Sequence, residues 1–295
     1  MNARTTLQAL RIGFAIACLC ALQSARAGQY ILVPEGTVTL IRATTVFNVD
    51  APIALEQGDL LATAAQGSAQ LESDGTTIGL GADTHIAIDA APGGDALALL
   101  SGWIKIARTR PDATESLSID TATLDGAMRD GAAVLHASRD ATSLFIETGA
   151  MTLALPGHAD VRQTLDGDHY AAREAGKPLD ASTRPAPAFI AGMPLPFRDP
   201  LVALSTPVKG KLIVASQGRP ATFADLAGWL SAPLGIRRGF VARFRPLAER
   251  EPFRSQVRQN LRDLPEWRRV LCPPPARPRR RAVAPVQAQS TEVES

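Results

Sequence analysis

The segment that decides the fold reads AQLESDGTTIGL, residues 69–80. Apolar residues alternate with polar ones on both sides of Asp74-Gly75, which is the pattern of two half-buried strands joined by a tight turn. We expect a type I′ turn here, because an Asp-Gly pair accommodates its two positive φ angles. Three further Asp-Gly pairs, at 125–126, 130–131 and 166–167, indicate more turns of this kind.

The same alternation extends from Tyr30 to about Arg173. It recurs every 8–12 residues or so, as in an all-β domain, and no helical period separates the strands. The sequence therefore predicts a mainly β fold, an antiparallel β-sandwich or β-roll with a small α-helical C-terminal extension. The alternating apolar pairs are Ala69/Leu71, Ile78/Leu80, Ile86/Ile88, Leu97/Leu99, Ile104/Ile106, Leu117/Ile119, Leu144/Ile146 and Met151/Leu153/Leu155.

The period changes after a proline-rich stretch, and this predicts the helices of the extension. Thr222 and Asp225 have the spacing of a capping box, which predicts a helix over 223–230. Pro252 and Pro265 suit the first turns of helices over 253–261 and 266–271. We accordingly divide the chain into a signal peptide (1–27), a β domain (28–173), a proline-rich connector (174–200), a helical extension (201–272) and a disordered Pro/Arg-rich tail (273–295).

The first 27 residues have the features of a secretory signal peptide. Arg4 and Arg11 precede the uncharged, mostly apolar stretch 12–22, which is too short to span a bilayer. Ala25 and Ala27 occupy the −3 and −1 positions of a cleavage site, so we expect cleavage between Ala27 and Gly28 and a periplasmic mature protein. Cleavage would remove two of the three cysteines and leave Cys272 without an intrachain disulfide partner.

Charge is distributed unevenly along the expected mature chain. Residues 28–235 carry 14 basic and 23 acidic side chains, whereas residues 236–281 carry 14 arginines, no lysine and 4 acids. An acidic body thus precedes a basic end. The basic end would not contact nucleic acid in the periplasm, and an aromatic content of 5% leaves few side chains for base stacking.

The β segment resembles the periplasmic domain of FecR-type proteins over roughly residues 52–173. This resemblance implies a β fold and a sensory or regulatory role, and it does not identify a ligand. The similar segments are 58–63, 69–71 with 74–76, 78–80 with Thr84, Ile86 and Ile88, 97–102, 119–121, 146–149 and 165–168.

The sequence contains no convincing catalytic or cofactor motif. No serine has the glycine spacing of a nucleophile elbow, and no glycine loop with a lysine could hold phosphate. His85 and His136 stand alone on predicted strands, and His158, Asp160, Asp166 and His169 lack the spacing of a metal site. We therefore expect no enzyme activity, cofactor or metal, although a hydrolase with paired carboxylates on one sheet face stays open as a third hypothesis.

The favoured hypothesis is an exported, non-enzymatic sensory, binding or scaffolding module for an envelope or inner-membrane protein partner. The alternative is a structural envelope protein that binds an anionic polymer through its arginine-rich C-terminus. We interpret Arg258, Arg262 and Arg269 as a solvated helical face, and the six aromatic residues of the extension as its own core. The candidate polyanion contacts are Arg277, Arg279, Arg280 and Arg281.

Overall fold

A computed structural model of the chain describes residues 30–91, 94–109, 115–203 and 217–272. Within these ranges the protein is mainly β, and its strands form one mixed sheet of 16 strands followed by short helices. No helix in the described ranges has the length and apolarity needed to cross a bilayer.

The strands divide into a run up to residue 108 and a run from 117 to 182. The first run comprises β1 (Ile31–Glu35), β2 (Val38–Arg42), β3 (Thr45–Val49), β4 (Ile53–Ala54), β5 (Leu60–Thr63), β6 (Ser68–Ser73), β7 (Thr76–Leu80), β8 (His85–Ala91) and β9 (Gly94–Arg108). The second comprises β10 (Leu117–Asp120), β11 (Asp125–Ala137), β12 (Ala141–Leu155), β13 (His158–Asp166), β14 (His169–Glu174) and β15 (Asp180–Ser182). A two-residue strand, β16 (Arg219–Pro220), pairs with the start of β3.

The sheet folds into two layers because three long strands, β9, β11 and β12, each contribute to both. The first half of β9 pairs with β8 and, in parallel, with β10, whereas its second half pairs with β7 and β11. The first half of β11 pairs with β10 and its second half with β9. Likewise β12 pairs first with β14 and then with β13. The first layer contains β2, β3, β5 and β8, and the second contains β1, β6, β7 and β14.

Glycines with positive φ lie where the long strands change partners. Gly102 of β9 has φ 94°, and Gly131 of β11 and Gly149 of β12 have φ 114° and 78° and lie opposite each other. A side chain at any of the three would collide with backbone: with Thr84 at Gly102, with the Thr148 carbonyl at Gly131, and with the Asp130 carbonyl at Gly149. Only glycine combines an unstrained positive φ with the absence of a side chain, so these positions act as corners of the sheet.

The predicted alternation is confirmed by the core between the layers. Every apolar pair identified in the sequence contributes to it, and Leu155 alone among those residues lies outside. The main core also contains residues that the pattern did not emphasise, including Leu32, Leu40, Leu61, Met128 and Leu135. The predicted mainly β class with a helical C-terminal extension is therefore confirmed.

The Asp-Gly pairs have different roles from the one predicted. Asp74-Gly75 does join β6 to β7, but only Gly75 has a positive φ, so the turn is not type I′. The pairs at 125–126 and 130–131 lie inside β11, and 166–167 separates β13 from β14, which both pair with β12 and not with each other. Asp-Gly occurs both at a sheet corner and in a hairpin turn, because each of them requires a residue with a positive φ angle.

The helices follow the second run of strands. They are α1 (Pro187–Gly192), α2 (Phe223–Leu230), α3 (Leu234–Arg237), α4 (Phe240–Phe244), α5 (Phe253–Gln259) and α6 (Arg268–Leu271), with 3-10 turns at Leu195–Arg198, Leu247–Glu249 and Pro265–Trp267. The predicted capping box is present at α2, where the Asp225 amide donates to the Thr222 hydroxyl and the Asp225 carboxylate accepts from the Thr222 amide. The helix predicted over 253–261 ends at Gln259, and the one over 266–271 begins as a 3-10 turn.

The chain's own C-terminal segments cover both outer faces of the sandwich. Helices α2–α6 pack on the first layer, where Trp229 and Phe244 meet sheet residues such as Leu60 and Ala98 in a second core. Residues 187–202, called the strap below, cross the second layer. There Phe189 and Phe197 join Val134 and Tyr170 in a third, smaller core.

We expect Gly131→Ala to destabilise the protein by more than about 3 kcal/mol, because it adds a steric clash with the Thr148 carbonyl to the strain of a positive φ. The free energy of unfolding measured in urea would show the loss. Gly157→Ala is the matched control, since Gly157 also has a positive φ (79°) but nothing lies within 4 Å of the added carbon. It should lose only about 1–2 kcal/mol. Equal losses in the two variants would contradict the corner role of Gly131.

Candidate functional site

Several residues predicted from the sequence lie outside the described residues. These are the cleavage pair Ala27 and Gly28, and the candidate polyanion contacts Arg277, Arg279, Arg280 and Arg281. Both predictions therefore stay predictions. Cys272 is exposed as a free thiol.

The histidines and their acidic neighbours are not assembled into a site. His169 lies beside the carbonyls of Asp166 and Gly167, 3.2 and 3.1 Å from its Nδ1, so it belongs to the break between β13 and β14. His136 stacks on Trp103 with ring centroids 4.4 Å apart. Across the ranges that the structure describes, no three His, Cys, Asp or Glu side chains are grouped so that they could hold a metal ion.

The arginines and aromatic residues of the extension have the positions expected for a helical domain. Arg258, Arg262 and Arg269 are exposed. The aromatic residues are buried or half-buried in the core that the extension shares with the first layer, so that core belongs to both the helices and the sheet. They are Phe223, Trp229, Phe240, Phe244, Phe253 and Trp267.

The extension is fixed to the first layer by polar contacts as well as by this core. The Arg243 guanidinium of α4 donates to three backbone carbonyls of the sheet domain: those of Ile41 (2.9 Å), Ala43 (3.0 Å) and Gly58. Burial lowers the pKa of Arg243. The Trp229 indole also donates to the carbonyl of Ile86, at 3.1 Å. These hydrogen bonds specify one position for the helices, which apolar packing alone does not.

The strap is fixed to the second layer by Lys105, which is 1% exposed. Its ammonium donates to the Glu147 carboxylate (2.8 Å) and to the carbonyls of Phe197 (3.0 Å) and Asp199 (2.9 Å). Three partners satisfy the three hydrogens of the ammonium. In addition, Gly79 leaves room for Phe197, since a side-chain carbon there would lie 3.0 Å from its ring.

A cavity of about 260 Å³ lies between the first layer and helices α3 and α4. Its floor contains the small side chains of Ala87 and Ala98, which are level with each other on β8 and β9. Apolar Ile236 and Phe240 of the extension line the helical side. The cavity therefore exists only because the extension packs on the FecR-like sheet.

Carboxylates line the part of the cavity on β8 and β10. Asp89 and Asp120 are lining residues, and Asp125 of β11 lies directly opposite Asp120 across the strand pair. Burial, and then the charge of Asp89, raises the pKa of Asp120. Burial, and then the charge of Asp120, raises the pKa of Asp125 to about 6. The three acids thus repel one another when all are ionised.

Arg243 also lines the cavity, but its guanidinium nitrogens are engaged by the three backbone carbonyls. The apolar walls of the cavity suit an aliphatic or aromatic group. The described lining residues do not provide a nucleophile with an adjacent base.

The residues that fix the strap and those that line the cavity show no local signal in the sequence. Lys105 alternates with Ile104 and Ile106, which predicts an exposed side chain on a half-buried strand. Its burial results from the strap, whose contact residues lie more than 90 positions later. Arg243 and the three aspartates likewise show no local signal, because their neighbours come from other elements.

Comparison with known proteins agrees with this architecture. A family model described as FecR protein matches residues 59–163, from the start of β5 to the edge strand β13. We refer to residues 59–163, which this family model matches, as the FecR domain. The resemblance identified in the sequence is thereby confirmed, and the matched FecR domain contains Asp89, Asp120 and Asp125.

Two solved structures resemble part of the chain. Both are described as a "putative anti-sigma factor" from Parabacteroides distasonis ATCC 8503, at 2.50 and 1.65 Å resolution. Each is 13% identical to this chain, with TM-scores of 0.37 and 0.36. The match covers 42% of this chain and 58% of those chains. A search of curated proteins found no significant match.

The FecR domain contains all three glycine corners, Gly102, Gly131 and Gly149. It also contains Asp59, whose carboxylate holds Arg42 through two hydrogen bonds of 2.6 and 3.0 Å beside the carbonyl that accepts from Arg243. The matched region thus contains the strands from β5 to most of β13, whereas β1–β4, β14, β15 and the segments that cover the faces lie outside it.

We expect Lys105→Met to release the strap. The change leaves the Glu147 carboxylate and two carbonyls without their donor, so stability should fall by about 2–3 kcal/mol. Cleavage by trypsin after Arg198 should become faster, because the 3-10 turn at 195–198 loses its anchor. Lys177→Met is the control: Lys177 is exposed and pairs only with Glu174, so stability should change by less than about 0.5 kcal/mol. An unchanged rate of cleavage in Lys105→Met would refute the anchoring role.

We expect Asp125→Asn to stabilise the protein at pH 8 by up to about 2 kcal/mol and to leave it unchanged near pH 3.5. The pKa of Asp125 is about 6 in the folded protein against an ordinary value of 3.8. Ionisation of Asp125 therefore destabilises the folded protein. This penalty is complete above about pH 6 and disappears as pH falls from about 6 to 3.8. Urea unfolding at both pH values measures it.

Asp50→Asn is the control for this pH dependence, because Asp50 is an exposed carboxylate in the loop between β3 and β4. It should leave the pH profile of stability as in the parent protein. A stabilisation of Asp125→Asn that is the same at pH 3.5 and pH 8 would show that charge is not its cause.

Proposed function

We propose that this protein is an exported, non-enzymatic FecR-type sensory or binding module that acts on a protein partner in the cell envelope or inner membrane. The observation that carries the proposal is the FecR domain itself, matched over residues 59–163 of the two-layer core. FecR-family proteins are generally regulatory and not enzymatic.

Export to the periplasm is part of the proposal and rests on the N-terminal sequence. The basic residues Arg4 and Arg11, the apolar stretch 12–22 and the small residues at 25 and 27 together form the expected secretory signal. The mature chain would begin at Gly28 and fold after translocation. Its lone Cys272 then suits an oxidising compartment, since no second thiol is left to mispair.

The accessible surface of the sandwich favours contact through a sheet edge. The helices and the strap cover the two broad faces, whereas β13 pairs only with β12 among the described strands. Val161 on β13 is 60% exposed, which is unusual for a valine in a strand. An open edge carries backbone donors and acceptors that a partner strand can use.

The experiment is site-specific photo-crosslinking in intact cells. A photoreactive phenylalanine at Val161 should form an adduct with one discrete envelope or membrane protein. The matched control is the same residue at Leu195, an equally exposed apolar position (71%) on the strap, which should not form that adduct. The periplasmic fraction should contain the protein with Gly28 at its N-terminus.

Two outcomes would overturn the proposal. Retention of the uncleaved chain in the cytosol would refute export. An exported protein that gives no protein adduct at Val161, and that sediments instead with an anionic cell-wall polymer in a salt-sensitive way, would favour the structural alternative.

A further inference from the structure

The helical extension exposes several arginine side chains for which the described residues provide no partner. Within the described part of the chain, four arginines of the extension are paired or half-buried: Arg219 pairs with Asp225, Arg237 lies 3.4 Å from Glu266, Arg243 binds carbonyls, and Arg254 is half-buried. The other exposed ones form no hydrogen bond or ion pair with any described residue. We call them the arginine face: Arg238, Arg245, Arg250, Arg258, Arg262, Arg268 and Arg269.

The arginine face is the solvent side of the extension. The opposite side is buried on the first layer through residues such as Trp229 and Phe244. Three exposed acids, Glu249, Glu251 and Asp263, lie among the seven arginines, so the face has a surplus of positive charge. The FecR domain on the other side of the molecule is acidic. The molecule therefore presents this end to a negatively charged partner.

The partner is further indicated by an apolar side chain among the charges. Leu234 of α3 is 50% exposed and lies one helical turn before Arg238, with Arg245 two turns farther along the chain. An exposed leucine one helical turn from an arginine suits a surface that lies in a membrane interface, where the apolar side chain enters the acyl boundary. A soluble polyanion offers nothing for this leucine to contact.

Arginine is also the residue suited to phosphodiesters. Residues 217–272 contain no lysine. A guanidinium forms two parallel hydrogen bonds with a phosphate and loses less hydration than an ammonium does. We propose that the arginine face, with Leu234, binds the surface of bilayers that contain anionic phospholipid. This inference does not depend on the protein partner proposed above, and it concerns a different surface.

The test is co-sedimentation of the full mature chain with vesicles. All proteins carry glutamine at the four arginines of 277–281, so that only the folded face is measured. Binding to phosphatidylcholine vesicles containing 30% phosphatidylglycerol, on the order of the anionic content of cell membranes, should be clear. It should weaken as sodium chloride is raised, and vesicles of phosphatidylcholine alone should not bind.

Two variants define the site. Arg238→Gln with Arg245→Gln should weaken binding about 25-fold, from about 1 kcal/mol for each arginine. Leu234→Ser should weaken vesicle binding about fivefold and leave binding to soluble polyphosphate unchanged. The control, Arg129→Gln with Arg139→Gln, removes two exposed arginines of the FecR domain and should change vesicle binding less than twofold. Far-ultraviolet circular dichroism and thermal unfolding verify that every variant is folded.

Three results would overturn the proposal. They are equal binding to the two kinds of vesicle, binding to polyphosphate without binding to vesicles, and equal losses in the arginine-face pair and the FecR-domain pair. Loss of the photo-crosslink at Val161 with retained vesicle binding would refute the proposed partner and leave this inference standing.

Discussion

The structure depends on one steric constraint: three long strands must bend sharply enough to serve both layers of the sandwich. Gly102, Gly131 and Gly149 meet it because a backbone with positive φ and no side chain can bring two strands into close contact. The pairing of Gly131 opposite Gly149 places two bends at the same level of the sheet. The apolar faces of both layers then meet in one core.

One buried and one half-buried cation connect this core to the C-terminal segments. Lys105 holds the strap and Arg243 holds the helices, and each donates mainly to backbone carbonyls. Carbonyl partners occur at fixed positions on the backbone, so these bonds specify where each segment lies. The FecR domain is thus part of a larger unit whose two broad faces are covered by the helices and the strap. The cavity beside Asp120 lies where the helices cover the first layer.

The distribution of charge gives this unit two different ends. Carboxylates are concentrated in the FecR domain, where burial, and then the charge of Asp120, raises the pKa of Asp125. The extension carries unpaired arginines on its outer side. Burial also lowers the pKa of His85, which stacks edge-on against Trp229 at the contact between sheet and extension. Protonation of His85 therefore destabilises this contact. The loss begins as pH falls below 6.5, the ordinary pKa of histidine, and is complete below the lower pKa that His85 has in the folded protein.

The sequence by itself determined the strands, the main core and the resemblance to FecR-type proteins, because side chains that alternate along a strand must face either the core or the solvent. It also located the α2 cap, which depends on residues three positions apart. Only the tertiary structure decided that Gly131 is a corner and not a turn, that Lys105 is buried, and that Asp89 and Asp120 face a cavity. Those properties depend on elements distant in the chain, and local periodicity carries no information about which distant segment covers which face.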